Sequence, residues 1–216
     1  MYLGLDIGTS SVKAVLIDGD DRVVAVADRA LTVERPQPLW SEQDPESWIA
    51  ATLSAIDELA ASHPRAVAAV AGIGLSGQMH GAVLLDAADR VLRPCILWND
   101  GRSAAECRRL EAGFPALHAV TGNLAMPGFT APKLMWVAAH EPEIFAETAR
   151  VLLPKAFVRL RLTGEAFEDM SDASGTLWLD PAKRDWSDAA LAATGLTRAH
   201  MPRLVEGSAP AGRLLP

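Results

Sequence analysis

Met1-Tyr2-Leu3-Gly4-Leu5-Asp6-Ile7-Gly8-Thr9-Ser10-Ser11-Val12-Lys13-Ala14-Val15-Leu16-Ile17-Asp18 opens the chain, and its alternation predicts two strands joined by a tight polar turn at Gly8 to Ser11. Leu3, Leu5 and Ile7 fall on one face; Tyr2, Gly4 and Asp6 fall on the other. Asp6 is therefore expected at the carboxyl end of a buried strand, a costly place for a carboxylate with nothing to do. Gly8 permits a sharp turn, and the amides and hydroxyls of Thr9, Ser10 and Ser11 can face one concavity suited to phosphate oxygens. Asp6 would then sit beside Mg2+ or its waters, and Lys13, on the strand face of Val15 and Ile17, would offer a positive charge to a phosphate. The same residues also suit an ordinary hairpin with a polar turn, and spacing alone leaves both open.

The 216 residues, half of them hydrophobic, are enough for one large domain or two small ones with a sizeable core. A net charge of -7 without any long Lys/Arg cluster argues against nucleic acid or an anionic membrane as partner and favours small-molecule chemistry. No basic leader or long apolar run precedes or follows the first strand, so a cytoplasmic location is expected. Cys95 and Cys107 lack metal-ligand or redox spacing and read as reduced core thiols.

Beyond the opening hairpin, Gly19-Asp20-Asp21 turns the chain into a third strand, Arg22 to Val33, completing an antiparallel meander. Asp44 is expected to cap a helix with Pro45 at its first position, its packed stripe being Trp48, Ile49, Thr52, Leu53, Ile56, Leu59 and Ala60. Val67 to Leu75 reads as a buried strand opening into Ser76-Gly77-Gln78-Met79-His80-Gly81. Ligands collect beyond the carboxyl ends of strands in α/β folds, which makes Gln78, Met79 and His80 candidate contacts. A histidine making one loop hydrogen bond is the plainer alternative.

After a short hairpin, Ala82 to Leu85 with Val91 to Leu92, a strand from Cys95 to Trp98 runs into Asn99-Asp100-Gly101-Arg102. An aromatic face beside an amide and a carboxylate suits a polyol, while Asp100 equally suits the N-cap of a helix from about Arg102 to Ala112. Thr130 is placed to cap the helix of Pro132 to Trp136, and Lys133 falls in its first turn, where the helix dipole disfavours a cation. A specific partner and a snorkelling surface lysine both remain open there. Two further helices, Pro142 to Thr148 and Pro154 to Thr163, precede a polar loop from Asp169 to Thr176 and an irregular end from Glu206 to Pro216.

Asp6-Ile7-Gly8-Thr9-Ser10-Ser11-Val12-Lys13 resembles the first phosphate motif of the actin, hexokinase and chaperone ATPase superfamily, in the form used by the FGGY carbohydrate kinases. Trp40-Ser41-Glu42-Gln43-Asp44-Pro45 is similar to a loop widespread in those kinases, as is Asp169-Met170-Ser171-Asp172-Ala173-Ser174-Gly175-Thr176 in its order. Gly128-x-Thr130-x-x-Lys133-Leu134-x-Trp136 matches most of an FGGY signature and departs from it at Ala139, where a polar residue is usual; His140 restores the pattern.

That resemblance implies an α/β domain of the ribonuclease-H-like, actin/hexokinase type, a mixed sheet with flanking helices, over residues 1–216. It implies ATP and Mg2+ as cosubstrates, with Asp6 on the metal and Gly8, Thr9, Ser10, Ser11 and Lys13 around the phosphates. Gln78-Met79-His80-Gly81 resembles a sugar-contacting loop of the ketopentose branch, and Trp98-Asn99-Asp100-Gly101-Arg102 resembles that branch more closely than the glycerol branch. D-Xylulose is the acceptor this implies; ribulose, glycerol or gluconate, or an ATPase of the actin or chaperone type, are the alternatives. The family's general-base aspartate in a Gly-Asp segment, and its later nucleotide motifs, have no counterpart here. The resemblance thus covers only the family's amino-terminal, sugar-binding half, expected to be inactive alone, with a ketose and ATP as partners and a homodimer left open.

Overall fold

The chain begins with strands β1 (Tyr2–Ile7), β2 (Ser11–Ile17), β3 (Val23–Ala30) and β4 (Glu42–Gln43), helices α1 (Pro45–Ser62) and α2 (Pro64–Ala68), and strand β5 (Gly72–Gly77). Strands β6 (Val83–Leu85) and β7 (Cys95–Ile96) lead to helices α3 (Ala104–Gly113), α4 (Leu117–Thr121), α5 (Thr130–His140) and α6 (Pro142–Glu147). Then come β8 (Arg150–Leu152), α7 (Pro154–Thr163), β9 (Phe167–Asp169) and α8 (Met170–Ser174), and finally β10 (Leu179–Asp180), β11 (Asp185–Trp186), α9 (Asp188–Ala192) and β12 (Arg203–Val205). The computed structural model describes residues 1–215. They form two compact units: Met1–Val33 with Asp44–Gln78, and Glu34–Gln43 with the chain from Met79 onward.

The first unit is a four-stranded sheet in the order β3-β2-β1-β5. β1 and β2 are antiparallel, with Asp6 opposite Lys13 and Ile7 opposite Val12. β5 runs parallel to β1, with Ser76 beside Asp6. The alternation predicted for the opening strands holds: Leu3, Leu5, Ile7, Val12, Ala14 and Leu16 are buried. α1 packs on β2 and β3 and buries Trp48, Ala51, Thr52, Ala55 and Leu59. Each large apolar side chain so buried contributes about 1.5 to 3 kcal/mol. Asp44 caps α1 by accepting the Glu46 amide at 3.0 Å, with Pro45 in the first turn.

Three expectations for this unit need correction. Asp6 is exposed; it lies on the open face of the sheet, so the cost of burying a carboxylate is not what marks it. The α1 stripe is rotated toward Ala51 and Ala55, leaving Leu53 47% exposed. Val67 belongs to α2, started by Pro64, so β5 begins only at Gly72. Paired on one side only, β5 is partly buried along its length.

The second unit packs β6, β7, α3, α4, α5, β8 and the elements from α8 to α9 around Leu84, Ile96, Leu110, Leu134, Val137, Trp178, Trp186 and Leu191. Its strands pair two by two: β4 with β7, β6 with β8, β9 with β12, and β10 with β11. Two of the buried indoles donate within the core, Trp178 Nε1 to Thr194 Oγ1 at 3.0 Å and Trp186 Nε1 to the Pro202 carbonyl at 2.9 Å. α3 begins at Ala104 after Ser103, so Asp100 is not its cap. α5 begins at Thr130, whose hydroxyl donates to a carbonyl instead of accepting a helix amide. The expected polar loop from Asp169 contains a short helix, α8, capped by Asp169, which accepts the amides of Ser171 and Asp172. Cys95 and Cys107 are free and buried, and burial pushes their thiols up to about 12 and about 11.

Candidate functional site

In the first unit the Gly8–Ser11 turn is closed by the Gly8 amide, which donates to the Ser11 carbonyl at 3.0 Å. Glycine is required here for space: a Cβ at Gly8 would stand 2.9 Å from that carbonyl oxygen. Gln78, just past β5, is buried, and its side chain reaches this turn. Its Oε1 accepts the Thr9 hydroxyl at 3.0 Å, and its Nε2 lies 3.4 Å from the Gly8 carbonyl. Gln78 thus holds the turn from the neighbouring strand end, a role that its grouping with Met79 and His80 in sequence did not suggest. Asp6 and Lys13 face each other across the ladder, and both are exposed. One carboxylate, one ammonium and a hydroxyl-bearing turn are a fitting donor set for a phosphate chain with Mg2+, which needs only one or two protein carboxylates when phosphates and water complete its shell.

In the second unit Met79, His80 and Gly81 form a γ-turn: the Gly81 amide donates to the Met79 carbonyl at 2.8 Å, and His80 has φ 63°. That backbone is strained for a residue with a side chain. It is held from several sides. The His80 carbonyl accepts Lys133 Nζ at 2.8 Å and Thr130 Oγ1 at 3.2 Å, its ring nitrogen Nδ1 lies 2.9 Å from the Gly175 carbonyl, and the ring meets Phe129 edge-on at 4.8 Å. Gly81 is forced by packing, since a Cβ there would meet Pro154 Cγ at 2.8 Å and Cys95 Sγ at 2.9 Å.

A carbonyl only accepts, so His80 Nδ1 carries a proton and Nε2 of the neutral ring is left as an acceptor. Burial, then the nearby Lys133 ammonium, lower the His80 pKa and favour the neutral ring, against the smaller opposing effects of the Gly175 carbonyl and Asp172.

Lys133 also donates to the Gly128 carbonyl at 2.7 Å. Gly128 in turn lies so close to the Trp98 carbonyl that a Cβ there would come within 2.7 Å of its oxygen. One buried ammonium therefore links the Met79–His80 loop to the loop that abuts Trp98. Trp98 and Met79 remain 41% and 43% exposed, and Asn99 is exposed as well. Burial pulls the Lys133 ammonium down to about 7.

Asp100 does not join this exposed set. Its carboxylate is buried and fully engaged: Oδ2 accepts the Ser41 amide at 2.6 Å and Arg102 at 2.7 Å, and Oδ1 accepts the Arg102 amide and its Nε, both at 2.9 Å. The Arg102 guanidinium lies over Trp40 at 3.6 Å and Trp136 at 4.9 Å and pairs with Glu42, which Arg93 also engages. The Trp40-Ser41-Glu42 loop thus braces the Trp98–Asp100 loop from behind. A second buried cluster sets Lys155 against Glu168, Asp169 and Asp172 at 2.6, 2.6 and 2.8 Å. These carboxylates are close enough to share an ion, but the lysine ammonium already stands among them.

No helix among the described residues is long and apolar enough to cross a membrane. The profile of the FGGY family of carbohydrate kinases, N-terminal domain, matches residues 1–216. The chain is 59% identical over its whole length to the xylulose kinase of Escherichia coli (strain K12), covering 44% of that protein. It is 41% identical to the xylulose kinase of Bacillus subtilis (strain 168), over 99% of the chain and 43% of the relative. It therefore spans less than half the length of the curated relatives it matches. Among solved structures, a "xyloylose kinase" from Brucella ovis superposes with TM-score 0.97 at 60% identity, over 99% of this chain and 45% of that one. The xylulose kinase from Rhodospirillum rubrum gives TM-score 0.90 at 33% identity, over 94% of this chain and 42% of that one. The expected fold is confirmed as the actin/hexokinase type, a mixed sheet with flanking helices, and the actin or chaperone alternative is set aside: the chain belongs to the FGGY family of carbohydrate kinases.

Proposed function

We propose that this chain is the amino-terminal, sugar-binding part of an ATP-dependent kinase that phosphorylates a ketopentose, D-xylulose being the acceptor. The observation that carries the proposal is the joining of the two strand-end loops by Lys133, which leaves Met79, Trp98 and Asn99 exposed beside a neutral His80. The choice of D-xylulose is supported by the names of the relatives that match the whole chain.

Trp98 offers an aromatic face to the C–H groups of a sugar, and Asn99 an amide that both donates and accepts. His80 Nε2 accepts a hydrogen bond from a sugar hydroxyl. Asp100 and Gln78 act one step back, Asp100 fixing the Trp98–Asn99 loop through Ser41 and Arg102, and Gln78 fixing the Gly8–Thr9 turn. Asp6 is assigned to Mg2+, with Gly8, Thr9, Ser10, Ser11 and Lys13 around the phosphates. ATP with Mg2+ supplies the phosphoryl group in the complete enzyme. The proton-accepting aspartate and the adenosine site are assigned to the part of the relatives' length that this chain does not span.

Tryptophan emission tests the assignment. Titrating D-xylulose into the complete protein should give a saturable change that Trp98→Phe abolishes. A saturable response to glycerol but none to D-xylulose would move the protein to the alditol branch.

A further inference from the structure

Lys133 is fully buried at the start of α5, has no carboxylate in ion-pair contact among the described residues, and places its ammonium on two main-chain carbonyls. An ammonium is costly to bury, so a role confined to filling space would be met better by methionine or leucine. The carbonyls it holds are informative. One belongs to His80, the strained centre of the γ-turn, and the other to Gly128, packed on the Trp98 backbone. Strained backbone persists where its surroundings over-determine it. Here the over-determination comes from Lys133 and Thr130, both donating to the same His80 carbonyl from α5.

We propose that Lys133, assisted by Thr130, is a positioning residue: it clamps the His80 γ-turn to the Gly128–Trp98 contact and so sets the spacing of the two sugar loops. This rests on the assignment of those loops to the sugar. The clamp acts through main-chain atoms, so it fixes where the His80 and Trp98 side chains stand without touching substrate. Its loss would widen the site and weaken binding, with little effect on phosphoryl transfer once the sugar is seated.

Three variants of the complete protein test it. Lys133→Met keeps the stem and removes the donors; Thr130→Val keeps the shape and removes the second donor; Leu59→Ala, in the other unit, lowers stability without touching the clamp. Lys133→Met should raise KM for D-xylulose about 10- to 100-fold, the scale for losing a charge-assisted hydrogen bond, with kcat and KM for ATP within about twofold of wild type. Thr130→Val should shift the same parameter less, and should carry the test if Lys133→Met does not fold. Hydrogen exchange at the Gly81 amide, which closes the γ-turn, should speed up in both variants and not in Leu59→Ala. Unchanged sugar KM and unchanged Gly81 exchange in both clamp variants would overturn the proposal, as would an equal rise of KM in Leu59→Ala. If the wild type does not use D-xylulose, the sugar assignment fails, and Gly81 exchange alone decides whether Lys133 holds the turn.

Discussion

The imidazole of His80 rests against Gly175 with no room for a methyl group: Nδ1 lies 2.9 Å from the Gly175 carbonyl, and a Cβ on Gly175 would come within 2.3 Å of ring atom Cε1. Gly175 has φ -75°, a conformation open to alanine. Gly175→Ala should therefore displace the ring, and the overpacking should cost about 1 to 3 kcal/mol of stability. Steady-state kinetics on the complete protein, at a temperature where the variant is fully folded, should show a raised KM for D-xylulose. A wild-type KM would mean that the orientation of His80 has no bearing on the sugar.

Asp6 faces Lys13 on the open side of the sheet and is assigned to Mg2+. Asp6→Asn keeps the size and removes the charge. It should lower kcat by about 10²-fold or more while changing D-xylulose affinity little, since charge neutralisation acts on the transferring phosphoryl group. Turnover and calorimetric sugar affinity measured on the same preparation separate the two effects; wild-type turnover would remove Asp6 from the phosphate machinery.

Lys155 stands among Glu168, Asp169 and Asp172. Burial works against its ammonium, but the carboxylates outweigh it and hold its pKa above the ordinary range. Lys155→Met leaves three carboxylates around an apolar chain and should cost about 3 to 5 kcal/mol, as breaking buried pairs does. Urea denaturation of wild type and variant gives the difference.

Much of this architecture is written in local pattern. Alternation from Tyr2 to Ile17, the Asp44-Pro45 start of α1 and the Pro154 to Thr163 span of α7 could each be read without coordinates, because each depends on neighbours within a few residues. The three-residue strand β8 is too short to show a period, and the β-branched residues before β5 misled because Pro64 starts a helix there. The site was legible as two loops but not as a mechanism of support. Asp100 finds Ser41 across 59 positions, and His80 finds Lys133 across 53. A positive φ at a histidine leaves no trace in composition. Burial of Lys133, left open against a surface position, is decided by tertiary packing alone.

The lowered pKa of Lys133 carries a sign that can be checked. An unfolded lysine keeps its proton to about 10.4, whereas burial lets the folded one lose it near 7. Between those values the unfolded state binds more protons, so the contribution of Lys133 to stability rises with pH across that window and is smallest below it. The stability difference between wild type and Lys133→Met, measured by denaturant titration from pH 6 to pH 10, should move in favour of wild type by roughly a few kcal/mol at most. A difference independent of pH would show that the ammonium is not desolvated.

We assign this chain to the sugar-binding part of a ketopentose kinase, an assignment read out by ADP release from the complete protein with ATP and Mg2+. D-Xylulose should give the highest kcat/KM among D-xylulose, D-ribulose, glycerol and gluconate, and the 216-residue chain alone should release no ADP above background. ADP release indifferent to D-xylulose, or sugar-dependent release by the short chain at the rate of the complete protein, would contradict it.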